Sequence, residues 1–163
     1  MSKKLILFRH GKSDWSAVYK KDCDRNLTKR GIETAKTMGR LLSNATPDLV
    51  ITSSAVRAKR TVELALQAGQ WGCPVQVTNQ LYEASPTQVL TIIHQVAIEI
   101  NTLLLAGHEP TCSALASQLI GGGQLRFPTG AIARIDFDVD IWQQVTCGQG
   151  VLRWLLQPKL FQP

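Results

Sequence analysis

Lys4-Leu5-Ile6-Leu7-Phe8-Arg9-His10-Gly11 is the stretch on which the reading of this chain turns. Residues 5–8 are uninterruptedly apolar and are bounded on both sides by charge, the pattern of a short strand buried on both faces. They are too few for the roughly 7 to 15 apolar residues of a secretion signal. Directly behind the strand stand a fixed cation, a group that titrates near neutral pH and a residue without a side chain. Residues 50–52, 75–77 and 103–106 read as buried strands of the same kind.

Between these strands the apolar spacing changes to that of helices. After Thr28, a side chain suited to an N-cap, Ile32, Ala35, Gly39 and Leu42 trace one face, and Pro47 marks the exit. Ala58, Val62, Ala65, Leu66 and Gly69 form a second stripe following Ser54. Ser85-Pro86 opens a third helix with Val89, Ile93, Val96 and Ala97, and Pro110 a fourth with Cys112, Leu115, Ala116 and Leu119 inward. Strands alternating with helices predict right-handed β-α-β units, hence an α/β fold: three α/β/α layers around a mostly parallel sheet. Residues 131–137 and 151–156 read as strands with no helix between them, which predicts an antiparallel C-terminal addition. No linker or repeat interrupts the chain, so residues 1–163 are expected to form a single domain.

In open α/β sheets ligands bind beyond the carboxyl ends of the strands. Arg9-His10-Gly11, Ser53-Ser54 with Arg57, Glu83, and Gly107-His108-Glu109 all fall there. Guanidinium groups hold phosphate oxygens in bidentate fashion, which suits Arg9 and Arg57. A neutral imidazole is a competent nucleophile towards phosphorus, which suits His10. Ser13 is compatible either with a hydrogen bond to bound phosphate or with simply ending the loop. Glu83 is compatible either with a general acid or with a helix-entrance position. His94 reads as a satisfied helix residue, Arg25 and Arg60 either as further phosphate- or protein-docking groups or as surface ion pairs or snorkelling side chains, Lys12 as solvated and most of the tryptophans as core.

Charge and composition narrow the partners. The 163 residues carry 18 Lys plus Arg against 12 Asp plus Glu, a formal charge of +6, without the basic runs or basic-aromatic repeats of a nucleic-acid binder. No apolar stretch approaches a membrane span. Cys23, Cys73, Cys112 and Cys147 are widely spaced, with no metal-site pattern, so a reduced cytoplasmic protein without metal or cofactor is expected.

Three motifs in order carry a family resemblance. Arg9-His10-Gly11 after an N-terminal strand, residues 52–58 followed by Thr61, and Gly107-His108-Glu109-Pro110 resemble the signature of the histidine phosphatase superfamily, the phosphoglycerate mutase-like fold. Residues 24–28 with Gly31, 81–85 and 128–131 are similar to its SixA-type phosphohistidine phosphatases. Glu109 departs from the Asn that relatives often carry. The resemblance implies a metal-independent phosphatase with His10 as nucleophile, Arg9, Arg57 and His108 binding phosphate, and a phosphohistidine protein as substrate. A phosphatase or mutase for small phosphoesters, or a non-catalytic binder of phosphoproteins or nucleic acid, are the alternatives, and neither nucleic acid nor membrane is the expected partner.

Overall fold

The computed structural model describes residues 2–162. The strands β1 (Lys3–Arg9), β2 (Leu49–Ser53), β3 (Val75–Thr78), β4 (Thr102–Gly107), β5 (Ile132–Phe137) and β6 (Val151–Leu156) form a single sheet in the order β3-β2-β4-β1-β5-β6. The β1–β4, β2–β4 and β2–β3 pairs are parallel, whereas β5 runs antiparallel to both β1 and β6. The expected C-terminal addition is therefore present, joined to the open side of β1.

Helices α1 (Lys29–Leu41) and α2 (Val56–Gly69) cover one face, and α3 (Pro86–His94) and α4 (Thr111–Leu119) the other. The central strands need apolar side chains on both faces, and their period of two divides them. Ile6, Phe8, Val50 and Leu104 meet Met38, Leu42, Val62 and Ala65 on the first face. Leu5, Leu7, Ile51 and Leu105 meet Val89, Ile93, Leu115 and Leu119 on the second.

The helix starts follow the sequence signals. Thr28 accepts from Gly31 N, and Ser85 forms a reciprocal capping box with Gln88 behind the Pro86 start. The buried face of α1 keeps Ala35, Gly39 and Leu42 of the expected stripe, adds Gly31, Thr34 and Met38, and leaves Ile32 at its margin. Two close backbone approaches lie on it. A Cβ on Gly31 would lie 2.3 Å from the Lys12 carbonyl oxygen, and one on Gly39 2.2 Å from that of Ala65 in α2.

A second difference concerns β3. It is an edge strand rather than a buried one, with Val75 and Val77 largely exposed, because β2 is its only neighbour in the sheet. Among the tryptophans, Trp71 and Trp142 are buried and Trp154 packs partly against the core, but Trp15 is exposed and stacks on Arg25, 3.6 Å from ring centroid to guanidinium carbon. No helix among the described residues is long and apolar enough to cross a membrane.

Candidate active site

Sheet register assembles the rim. Arg9 is paired with Gly107 across β1 and β4, Thr52 with Ala106 across β2 and β4, and Ser53 with Thr78 across β2 and β3. All these strands are parallel, so the residues next in sequence emerge on one side of the sheet: His10, the start of α2, residues 79–83 and His108. Backbone bonds then fix the first loop: His10 N donates to Gly107 O at 3.1 Å and Gly130 N to His10 O at 2.8 Å.

His10 is held in one tautomer. Its Nδ1 lies 2.7 Å from the Gly11 carbonyl, which only accepts, so Nδ1 carries the proton. Its Nε2 faces Arg57 Nε, a donor, at 3.3 Å, and therefore presents a lone pair. Burial lowers the His10 pKa from 6.5 to about 3; the Gly11 bond opposes the shift, while the charges of His108, Arg57 and Arg9 add to it. The imidazole is neutral at physiological pH. His108 is lowered to about 4, chiefly by burial and then by Arg57. A cationic His108, one of the states compatible with the sequence, is thus disfavoured in this pocket.

The rings of His10 and His108 lie 5.2 Å apart, tilted by 57°. His108 Nε2 meets Ser53 Oγ at 2.8 Å, leaving its Nδ1 buried without a hydrogen-bond partner. Arg9 is anchored by Nη1 on the Phe127 carbonyl at 2.9 Å, and its Nε is likewise buried and unpartnered. Burial lowers the Arg9 pKa below its ordinary value. Arg9 Nε and His108 Nδ1 are thus left without partners on side chains that surround His10 together with Arg57. Removing polar groups from water without partners is costly, and such groups mark a place built for a ligand.

Arg57 is fixed from several directions. Its Nη1 donates to the Asp22 carbonyl at 2.9 Å and its Nη2 to the Asp22 carboxylate at 3.0 Å. Thr61 Oγ1 donates to the Arg57 carbonyl at 2.7 Å and accepts from Gly11 N at 3.0 Å, tying the first turn of α2 to the loop that carries His10. The start of α2 has no side-chain cap and no acidic residue in its first turn, so its positive end is left to other anions.

Ser13 and Glu83 are placed differently from the other four candidates. Ser13 is buried and its hydroxyl accepts from Arg25 Nη1, which makes it a support for that arginine. Glu83 is exposed at the wall of a cleft of about 470 Å³ that Arg57, Tyr82 and His108 also line. It makes no hydrogen bond or ion pair with the described residues, and its φ of 54° turns the chain at the cleft edge.

Asp22 is the residue that sequence reasoning missed. Its carboxylate accepts from Arg25 Nη2 at 2.8 Å, from Arg57 Nη2 and from the Tyr82 hydroxyl at 2.6 Å. These bonds, the Tyr82 bond foremost, hold its pKa well below the carboxylate range, and in return Tyr82 is raised to about 12. The only signal in the sequence was the three-residue spacing to Arg25, which reads as an ordinary surface pair. Arg25 itself is 4% exposed, not on the surface as expected. Arg60 and His94 behave as expected: Arg60 pairs with Glu63 at 3.3 Å, and His94 Nε2 meets the Val145 carbonyl at 2.7 Å.

Comparisons with known proteins add a family. Residues 5–89 match the family model of the histidine phosphatase superfamily, branch 1. An uncharacterised protein of Mycobacterium leprae is 34% identical over 140 residues, covering 77% of this chain and 84% of its own. A solved structure of a candidate phosphohistidine phosphatase SixA from Agrobacterium tumefaciens superposes with a TM-score of 0.82 at 27% identity, covering 96% of this chain and 98% of that one. A second candidate SixA, from Nakamurella multipartitia, superposes with a TM-score of 0.84 at 23% identity and covers 97% of both chains.

Proposed function

From the premise that this chain belongs to branch 1 of the histidine phosphatase superfamily and is a phosphatase of SixA-like fold, we propose that it hydrolyses phosphohistidine on a protein through a phosphorylated His10. The observation that carries this reading is the state of His10: Nδ1–H spent on the Gly11 carbonyl, Nε2 unprotonated and aimed at Arg57. An imidazole so fixed needs no proton removed before it attacks, and positioning supplies much of the rate in phosphoryl transfer.

In this mechanism His10 Nε2 attacks phosphorus in line, forming an N–P bond as the bond to the substrate imidazole breaks. Arg9 Nε, Arg57 and His108 Nδ1–H take the phosphoryl oxygens, the Ser53 hydroxyl donating to His108 Nε2 so that Nδ1 keeps its proton. Water then attacks the phosphohistidine, inorganic phosphate leaves and His10 returns neutral. The leaving imidazole accepts a proton from solvent, so no strong general acid is required. Asp22 and Thr61 orient Arg57, and Ser13 supports Arg25 behind them. Four unpaired cysteines suit a reducing compartment such as the cytoplasm.

The test is phosphate release from a histidine-phosphorylated phosphotransfer protein by wild type and His10→Ala, with EDTA present throughout. Release by wild type alone is expected. Turnover by His10→Ala, or activity lost to EDTA and restored by metal, overturns the mechanism.

One observation favours a second reading, hydrolysis of small phosphoesters. Glu83 stands without a partner on the cleft wall with His108, where a carboxyl can protonate an alkoxide leaving group. Glu83→Gln separates the two. A fall of about 10² or more in kcat on an alkyl phosphate with phosphohistidine turnover intact assigns Glu83 as an acid; equal rates on both assign it to the cleft wall alone.

A further inference from the structure

Beside the His10 loop lies a second concavity, of about 330 Å³, lined by Lys12, Arg30, Arg126 and Lys159 and, among the described residues, by no carboxylate. All four cations are exposed, and none has an ion pair or a side-chain hydrogen bond among the described residues. Elsewhere on the surface Lys36 pairs with Glu33, Arg60 with Glu63 and Arg134 with Asp136; what sets the groove apart from single unpaired cations such as Arg40 is that four of them line one concavity. The groove is a place where like charges have been gathered and left uncompensated, which costs self-repulsion unless an anion arrives.

Its walls are continuous with the candidate active site. Lys12 stands two residues beyond His10, and its carbonyl accepts from Thr28 N at 2.9 Å, which pins it against the start of α1 near Arg30. Arg126 precedes Phe127, whose carbonyl anchors Arg9. The Pro158 turn that carries Lys159 packs beside Gly130, whose N–H holds the His10 carbonyl. Any macromolecule that brings a phosphoryl group to His10 must therefore lie close to this flank.

We propose that the groove docks an acidic surface of the substrate protein, Asp and Glu side chains near its phosphorylated residue; this rests on the protein-substrate reading above. Complementary charge at the rim of an interface raises the association rate and selects the partner. No aromatic ring lines the groove, so it lacks the stacking platform on which single-stranded nucleic acid is held.

The experiment compares wild type, Arg126→Glu/Lys159→Glu and a control of equal charge change away from the groove, Arg40→Glu/Arg153→Glu. Each is assayed on a histidine-phosphorylated phosphotransfer protein and on p-nitrophenyl phosphate. The groove variant is expected to raise KM for the phosphoprotein by about tenfold or more and to flatten the decline of kcat/KM between about 0.05 and 0.3 M salt, with turnover of the small ester unchanged. Equal phosphoprotein KM in the two double variants, or parallel loss on both substrates in the groove variant, overturns the proposal. If wild type cleaves only the small ester, the substrate reading fails, and the groove is tested by anisotropy with a fluorescein-labelled Asp/Glu peptide. Binding that the groove variant loses and the control keeps sustains an acidic-protein site. Equal binding by both variants, or tighter binding of an oligonucleotide of matched charge, removes it.

Discussion

Two imidazoles held neutral by burial make the pocket sensitive to acid in a defined direction. His10 and His108 have pKa values of about 3 and about 4 in the folded chain against 6.5 for an exposed histidine. Below about pH 6.5 the unfolded chain binds protons that the folded chain refuses, so the stability these groups contribute is full above that pH and declines as pH falls towards 4 and then 3. The slope approaches about 1.4 kcal/mol per pH unit for each imidazole. Urea midpoints between pH 4 and 7 measure it, and His10→Asn is expected to remove one share. Nitrogen-15 shifts at pH 7 are expected to report Nε2 of His10 as unprotonated; a His10 resonance titrating near 6.5 sinks the tautomer assignment. Arg57→Lys keeps the charge but loses the Nε–H and the paired Nη groups that Asp22 orients. It is expected to lower kcat/KM by about 10² or more in steady-state assays while the fold survives. Arg9, His10, Arg57 and His108 were legible together in the sequence because His10 and His108 directly follow β1 and β4, Arg9 ends β1 and Arg57 lies in the first turn of the helix after β2, all at one edge of the sheet. Asp22 was not, because a loop of irregular path brings it to Arg57, and no local spacing encodes that meeting.

Elements contribute through close backbone contact as much as through apolar stripes. The crossing of α1 and α2 depends on Gly39, whose carbonyl also accepts from Trp71 Nε1 at 3.2 Å and would lie 2.2 Å from a Cβ on Gly69. Gly39→Ala is therefore expected to destabilise by about 1 to 3 kcal/mol through overpacking, read as a lowered denaturant midpoint, with the assay unchanged well below the transition. The sequence showed where α1 begins, since Thr28 caps it, and placed Ala35, Gly39 and Leu42 on its buried face, but put Ile32 there too and left out Gly31 and Thr34. Periodicity registers apolar size and is blind to the approach of another backbone, and that approach is what turns Gly31 and Thr34 inward. Gly11 teaches the same: its missing side chain makes room for helix α1, as a Cβ there would lie 2.7 Å from the Gly31 carbonyl oxygen.

At the scale of the whole molecule one sheet joins the described residues from β1 to β6, and both apolar layers are built on the same central strands. One domain is the corresponding expectation: far-UV circular dichroism, tryptophan fluorescence and activity should be lost at a common denaturant midpoint. Separated transitions would show that the chain divides. The α/β architecture was legible from alternation of strand and helix patterns, and the antiparallel addition from the missing helix between the last two strands. Which strand lies at an edge was not, although Gln76 between Val75 and Val77 breaks the apolar run that residues 5–8 and 103–106 keep. Order in the sheet is set by where the connections cross, and a run of side chains does not carry that information.

The order of the strands also sets a timetable. β1 is the earliest strand in the chain, yet its two partners are residues 102–107 and 132–137. During synthesis at typical ribosomal rates its apolar run waits on the order of 5 to 20 seconds for the first of them. Over that interval the growing polypeptide holds His10 but no pocket, since His108 arrives with the strand that closes it. The nascent chain therefore carries His10 long before the residues around it exist, and depends on whatever shields residues 5–8 in the meantime.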